Sequence, residues 1–199
     1  APTVATIQAC LGNLIFGADE EELQHAVVRL LRGRSQSVAT LEIGSGGTMA
    51  SWLSEVDDER RAFAGGLVLR EDAERRVLLD AAPATAASKD LSGAAAWSDL
   101  LDRRFSQFVS WPEVVTTFAR RLREALSADY GLAIGPFPQS ESADTAPGQV
   151  HVGLATATEV LMRSFPFAGH PDAVKARAIK QALDWLRLRM LGVDGGGNG

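Results

Sequence analysis

A short apolar run that enters a glycine-rich turn does most to constrain the fold of this chain. Residues 38–43, Val-Ala-Thr-Leu-Glu-Ile, are mostly apolar and partly β-branched, which predicts one buried strand. Residues 44–47, Gly-Ser-Gly-Gly, follow, and residues 48–56 predict a helix. Such a turn leaves backbone N–H groups at the positive end of the helix dipole, where a phosphate or carboxylate binds. Glycine also makes turns of this kind where nothing binds, so a purely structural role stays open.

The remaining segments alternate between helical and strand patterns. Besides the central unit, the apolar periodicity predicts helices at 19–32, 71–80, 110–126 and 170–191 and strands at 63–69, 130–134, 149–155 and 159–165. This order predicts a three-layer α/β/α domain with a mixed, mostly parallel sheet and a late hairpin. We assign residues 1–18 to a linker from a possible preceding region, 19–191 to the domain, and 192–199 to a flexible tail.

Composition restricts the classes of function. The net charge of −5 argues against nucleic acid as the main partner, which would favour a basic face. No apolar run reaches the length of a membrane span, so we expect no membrane partner. The single cysteine, Cys10, excludes an internal disulfide and a cysteine-based zinc site. We expect a cytoplasmic protein without a bound metal or cofactor.

Two helix starts carry residues typical of a capping box. Asp19 followed by Glu22 predicts the start of the first helix, and Ser110 followed by Glu113 predicts the start of a later one. In each pair the first side chain would accept a backbone N–H and the second would reach back to the start of the helix.

Other polar residues favour structural roles over catalytic ones. Residues 57–61, Asp-Asp-Glu-Arg-Arg, predict a solvated loop in which arginines pair with neighbouring acids, rather than a metal or acid–base cluster. The three histidines have no partner at metal-ligand spacing, so we expect helix, strand-surface and helix-start positions for them: His25, His151 and His170.

Several runs resemble the C-terminal domain of CinA, the competence/damage-inducible protein family. Residues 41–47, Leu-Glu-Ile-Gly-Ser-Gly-Gly, are similar to the family signature A-E-S-C-T-G-G, and Phe63 and Gly66 keep the spacing that follows it. Residues 11–17 resemble the join that precedes this domain, and the likeness extends to about residue 191. Stand-alone members of the family are nicotinamide mononucleotide (NMN) amidohydrolases, so the resemblance implies hydrolysis of the NMN carboxamide.

The residues that the family associates with catalysis are not retained. Ser45 stands where the signature has threonine, Arg70 stands in place of a tyrosine and Arg75 in place of a lysine. The family's serine pair falls in residues 57–61, which contain no serine. A guanidinium stays protonated and cannot act as a base, although it can bind an anion. Pairing of the two arginines with neighbouring acids is equally open.

We therefore predict a catalytically impaired domain that binds a nucleotide or phosphate or serves in assembly; the alternative is NMN amidohydrolase activity. The candidate ligand-binding residues are Glu42, Gly44, Ser45, Gly46, Gly47, Arg70 and Arg75, and Ser45 is the one candidate nucleophile. A different reaction that uses Glu42, Ser45 and the arginines is a third possibility without a defining spacing. A homo-oligomer would form through apolar helix surfaces, with three tryptophans as candidate contacts: Trp97, Trp111 and Trp185.

Overall fold

Five helices and five strands make up the part of the chain that the structure describes. A computed structural model describes residues 2–12, 15–18, 20–70, 110–137, 148–167 and 171–193. In chain order the elements are α1 (Pro2–Leu11), α2 (Leu23–Gly33), β1 (Val38–Ile43), α3 (Thr48–Val56), β2 (Phe63–Leu69), α4 (Trp111–Ala125), β3 (Tyr130–Gly135), β4 (Gly148–Ala155), β5 (Val160–Phe167) and α5 (Pro171–Met190).

The strands form one mixed sheet in the order β2-β1-β3-β4-β5. β1 lies between β2 and β3 and is parallel to both, whereas β4 is antiparallel to β3 and β5. Four strands therefore run in one direction and only β4 runs against them. The predicted three-layer α/β/α arrangement with a mostly parallel strand direction and a late hairpin is confirmed.

Helices cover both faces of the sheet, and β1 shows how the sequence divides the core. Successive side chains of a strand point to opposite faces. Ala39, Leu41 and Ile43 join a cluster with the apolar stripe of α4. The intervening residues point to the other face, where α2, α3 and α5 form the larger apolar cluster. All six residues of β1 are buried, as expected for a central strand of a covered sheet.

Two glycines allow α4 to lie unusually close to the sheet. A Cβ atom on Gly131 of β3 would lie 1.8 Å from the carbonyl oxygen of Ala119, and one on Gly153 of β4 would lie 2.4 Å from that of Val115. No side chain fits at either distance, so the helix backbone rests directly on the two strands.

The first helical segments differ from the sequence prediction. Residues 2–11 form α1 within the predicted linker, whose connection to a preceding region stays a prediction. α2 begins at Leu23, and Glu22 rather than Asp19 takes the position before it. The backbone N–H of Glu22 donates to Nδ1 of His25 at 3.1 Å. His25 thus closes the helix start, a role that sequence analysis missed because histidine is not a typical member of a capping box.

Ser110 takes the predicted position before α4, but its side chain makes no capping hydrogen bond. The predicted placement of the helix start is therefore right, and the capping hydrogen bond predicted for the Ser110 side chain is wrong. Several predictions lie outside the described residues: the helix at 71–80, Arg75, Trp97, His170, and most of the loop between β3 and β4 and of the C-terminal tail.

Candidate functional site

The turn between β1 and α3 lies at the carboxyl ends of the parallel strands. Gly44, Gly46 and Gly47 have φ values of 85°, 77° and 89°, in the left-handed region that favours glycine. The N–H of Gly44 donates to the carbonyl oxygen of Leu69 at 2.9 Å, which fastens the turn to the end of β2. A Cβ atom on Gly47 would lie 3.3 Å from Cγ2 of Val68. The strand, turn and helix occupy the residues predicted for them.

A buried carboxylate occupies the start of α3. The side chain of Glu42 is inaccessible to solvent and points from β1 toward this helix. Its Oε2 accepts the N–H of Met49 at 2.9 Å, and its Oε1 accepts that of Ala50 at 2.8 Å. The protein's own anion thus fills the position at the helix dipole that the sequence suggested for a ligand. Glu42 faces the interior rather than an external ligand.

Ser45 connects this carboxylate to the turn. Its Oγ donates to Oε2 of Glu42 at 2.5 Å and accepts the N–H of Gly47 at 3.3 Å. Its side chain is nearly buried, with 8% of the residue exposed. The sequence alone indicated no base beside Ser45, whereas the structure places a carboxylate oxygen within hydrogen-bond distance. The signal available in the sequence for this contact was the separation of three residues between Glu42 and Ser45 across the end of β1.

The end of β2 brings a cation to the same edge of the sheet. Ile43 of β1 pairs with Leu69 of β2, so Arg70 is the first residue beyond the strand, beside the glycine turn. Arg70 is exposed to solvent. The predicted grouping of the turn with Arg70 is consistent with this geometry, while Arg75 lies outside the described residues.

The end of β3 closes the other side of this edge. Gly135 has a φ of 133°, and a Cβ atom on it would lie 2.6 Å from the carbonyl oxygen of Ile43. Gly135 also pairs with His151 of β4. Nδ1 of His151 lies 2.8 Å from Oγ of Ser164 on β5, and burial lowers the pKa of the imidazole. This histidine is therefore a cross-strand partner at the rim, as predicted for a strand-surface residue.

The prediction of a solvated loop at 57–61 is wrong for its first residue. Asp57 is buried, and its Oδ2 accepts the backbone N–H of Ala62 at 2.9 Å and that of Phe63 at 2.8 Å. Its Oδ1 accepts Nε of Arg32 at 3.1 Å and Nη2 at 3.0 Å.

Burial alone would raise the pKa of Asp57. Hydrogen bonds from the Phe63 backbone, the Arg32 side chain and the Ala62 and Arg61 backbones outweigh burial, and the pKa lies below its usual value. Asp57 closes the connection between α3 and β2, and the remaining residues of this stretch are exposed as predicted.

Within the described residues, no group of three or more histidine, cysteine, aspartate or glutamate side chains is arranged to hold a metal ion. None of the helices described is both long enough and apolar enough to cross a membrane.

Comparison with known proteins supports the sequence resemblance. Residues 106–190 match the family model of the CinA C-terminal domain. The chain is 26% identical over 189 residues to a putative competence-damage inducible protein of Thermoanaerobacter sp. (strain X514). It is 28% identical over 183 residues to a CinA-like protein of Geobacter sulfurreducens. The resemblance to the CinA C-terminal domain family is confirmed.

Solved structures with the same fold are also similar to this chain. A CinA superfamily protein from Klebsiella pneumoniae matches with a TM-score of 0.62 and 22% identity, covering 88% of this chain and 99% of that one. A competence or damage-inducible protein from Enterobacter asburiae matches with a TM-score of 0.61 and 22% identity, covering 85% and 96%. The two curated relatives are longer: the match covers 94% and 91% of this chain but only 41% and 40% of theirs.

Proposed function

We propose that this CinA-like domain binds a nucleotide or another phosphate-bearing ligand at the carboxyl edge of its parallel strands and does not hydrolyse NMN at a useful rate. The observation that carries the proposal is the turn of three left-handed glycines beside Arg70. Ligands of open α/β sheets bind at this edge, where the connections leave a crevice. A cytoplasmic location stays a prediction.

The turn retains hydrogen-bond donors, and Glu42 limits how strongly they attract an anion. The N–H groups of Gly46 and Thr48 have no hydrogen-bond acceptor among the described residues. The first turn of α3, in contrast, is already occupied by the buried carboxylate of Glu42. A phosphate at Gly46 and Thr48 would experience the negative charge of Glu42 across a short distance, so we expect weak binding that depends on salt.

Loss of the reaction is proposed on chemical grounds. Amide hydrolysis needs an activated nucleophile, a group that moves its proton, and donors for the developing oxyanion. Arg70 and Arg75 stand at the positions that the family fills with tyrosine and lysine, and neither can accept a proton at neutral pH. Removing residues that act as a unit costs about a million-fold in a serine protease, so a comparable loss would bring turnover near the detection limit.

Binding and turnover can be measured on one sample. We expect calorimetric titration with NMN to give weak heats that fall as salt rises, and an ammonia assay to give no release above background. Gly46→Glu should abolish binding by adding a negative charge to the turn. Gly46→Gln is the matched control, because it shares the φ of 77° and the side-chain length but not the charge. Equal binding by both variants, or no heat at millimolar ligand, would contradict the binding proposal.

The second candidate function is NMN amidohydrolase activity, which the contact between Ser45 and Glu42 favours. A carboxylate 2.5 Å from a hydroxyl could accept its proton as the oxygen attacks the carboxamide carbon. Against this, Glu42 already accepts two backbone N–H groups. Turnover of roughly one per second that disappears in Ser45→Ala would establish the enzyme and refute the proposed impairment.

A further inference from the structure

Among the residues that the structure describes, the outer edge of the sheet at β5 has no neighbouring strand. β5 is the last strand in the order, and the pairing described for it is with β4. Two of its apolar side chains, Val160 and Met162, are 37% and 42% exposed. An edge strand presents unpaired N–H and C=O groups to which another strand can bind. Trp185, a predicted helix contact between subunits, is instead buried in the core.

The hairpin fixes which backbone groups of β5 point outward. The N–H of Thr156 donates to the carbonyl oxygen of Glu159, so these two residues form the hydrogen-bonded pair that closes the hairpin. Bonded and non-bonded pairs alternate along an antiparallel ladder. Residues 161, 163 and 165 therefore bond to β4, and residues 160, 162 and 164 direct their N–H and C=O groups away from it. Pro166 belongs to the same alternating set as residues 160, 162 and 164. The N–H that proline lacks would therefore point away from β4, and no hydrogen bond to β4 is lost.

We infer that β5 pairs antiparallel with β5 of a second copy of this chain, in the register that places Leu161 opposite itself. In this register Val160 of each copy faces Met162 of the other, so the exposed apolar residues cover each other. Glu159 faces Arg163 of the second copy in the same way, so opposite charges meet twice. Each of these pairs is self-complementary about a twofold axis, as a symmetric dimer requires.

Neighbouring registers lack this complementarity. Moving the twofold axis by one residue places Met162 opposite itself and sets Arg163 against Leu161, with no opposite charges directly facing. Moving it by two residues places Arg163 opposite itself, which is repulsive, and sets the N–H-free Pro166 against Val160.

The charged pairs also lie on one face. Glu159 forms an ion pair with Arg189 of α5, and Cζ of Arg163 lies 4.8 Å from the ring centroid of Trp185, also in α5. Both side chains are thus on the α5 face of the sheet, where they would meet across the dimer. A carboxylate has enough acceptor sites for Arg189 and for Arg163 of the second copy together. About five residues of each strand pair, a small interface, so dimer formation should depend strongly on concentration.

Cysteine cross-linking tests the register. The cross-linking variants carry serine in place of the exposed Cys10. In Leu161→Cys, residue 161 of one copy would face residue 161 of the other in a non-hydrogen-bonded pair, with Cα atoms about 4.5 Å apart. That distance suits a disulfide. We expect Leu161→Cys to give a covalent dimer on a non-reducing gel. Val160→Cys is the matched control, because its counterpart lies two positions away along the strand and should not cross-link.

Sedimentation of the otherwise unchanged protein tests the dimer itself. We expect the mass to rise from 21.2 kDa toward twice that value with concentration. Met162→Pro should keep the protein monomeric and leave its circular dichroism unchanged, because the N–H of residue 162 points away from β4. A monomer at every concentration together with no cross-link in Leu161→Cys would overturn the inference. Cross-linking by Met162→Cys in place of Leu161→Cys would overturn the register.

Discussion

Two buried carboxylates, Glu42 and Asp57, have their negative charges stabilised in different ways. Each lies at one end of α3 and accepts two backbone N–H groups, Glu42 from the first turn of the helix and Asp57 from the start of β2. Asp57 also accepts two N–H groups of Arg32, so a cation balances its charge. For Glu42 the third donor is the hydroxyl of Ser45. The helix dipole and neutral donors stabilise this second anion.

This difference separates a structural acid from one at the edge that we propose binds a ligand. An acid balanced by arginine on the interior side of a loop has its partners within the protein. Glu42 instead contacts Ser45 at the carboxyl edge of the parallel strands, where the Ser45 hydroxyl could bond to a ligand under the proposed function. Glu42 therefore stabilises the turn, and Ser45 is the residue whose hydrogen bond can change.

The largest effect is expected for Glu42→Gln. The substitution removes the charge and replaces one acceptor oxygen with an NH₂ group that cannot accept the N–H of Met49 or Ala50. We expect a loss of about 3 kcal/mol in the free energy of unfolding, since hydrogen bonds to a charged group weaken and one buried donor loses its acceptor. Urea denaturation measures it. Glu55→Gln, on the exposed side of α3, is the matched control and should change little.

An effect of Glu42→Gln no larger than that of Glu55→Gln would mean that the carboxylate is not needed to hold the turn. Glu42 would then differ from Asp57 in having no stabilising role.

Asp57→Asn should have the next largest effect, about 2 kcal/mol at neutral pH, because it removes the ion pair with Arg32 and one acceptor of backbone N–H groups. Asp58→Asn, an exposed neighbour, is the control. The pH dependence sharpens the test. The folded-state pKa of Asp57 is lowered from 3.8, so its contribution is present above about pH 4 and is lost as the pH falls through the folded-state value.

Thermal unfolding from pH 7 to pH 2.5 should therefore show the wild type and Asp57→Asn converging in stability as the solution becomes acidic. Parallel curves with a constant gap would show that the carboxylate charge of Asp57 contributes nothing, and the contrast between the two acids would lose its basis.

Ser45→Ala should have the smallest effect on stability, about 1 kcal/mol, because Glu42 keeps both backbone donors and loses only a hydroxyl. Ser54→Ala, exposed on α3, is the control for helix propensity. A loss as large as that of Glu42→Gln would indicate that the hydroxyl and the carboxylate act as one structural unit, leaving no separate role for Ser45 at the edge.

Local sequence signals predicted most of the fold. The periodicity of β1 and α3 and the turn of glycines gave both elements their observed residues, because strand alternation, helix spacing and glycine conformation are local properties. Long-range partners were not predictable in this way. Arg32 lies 25 residues from Asp57, and no spacing rule connects them. The acidic run at 57–61 therefore seemed solvated throughout, although its first member is buried.

The candidate site shows the same limit. The family resemblance grouped Arg70 with the glycine turn as a candidate site, and the pairing of β1 with β2 brings the ends of the two strands to one edge. The sequence could not show that Glu42 turns inward to the start of α3. Both faces of β1 are buried, and hydrophobicity does not favour a glutamate on either face. Only the positions of the Met49 and Ala50 N–H groups explain that choice.

The glycines beneath α4 have a mechanical consequence. Gly153 touches the helix at Val115 and Gly131 touches it at Ala119, two supports one turn or about 6 Å apart. A methyl group at only one support would tilt the helix about the other rather than lift it evenly. Gly153→Ala would raise the half that begins at Trp111, near the carboxyl edge of the parallel strands, and Gly131→Ala would raise the far half. The orientation of α4 thus depends on two hydrogen atoms in place of side chains.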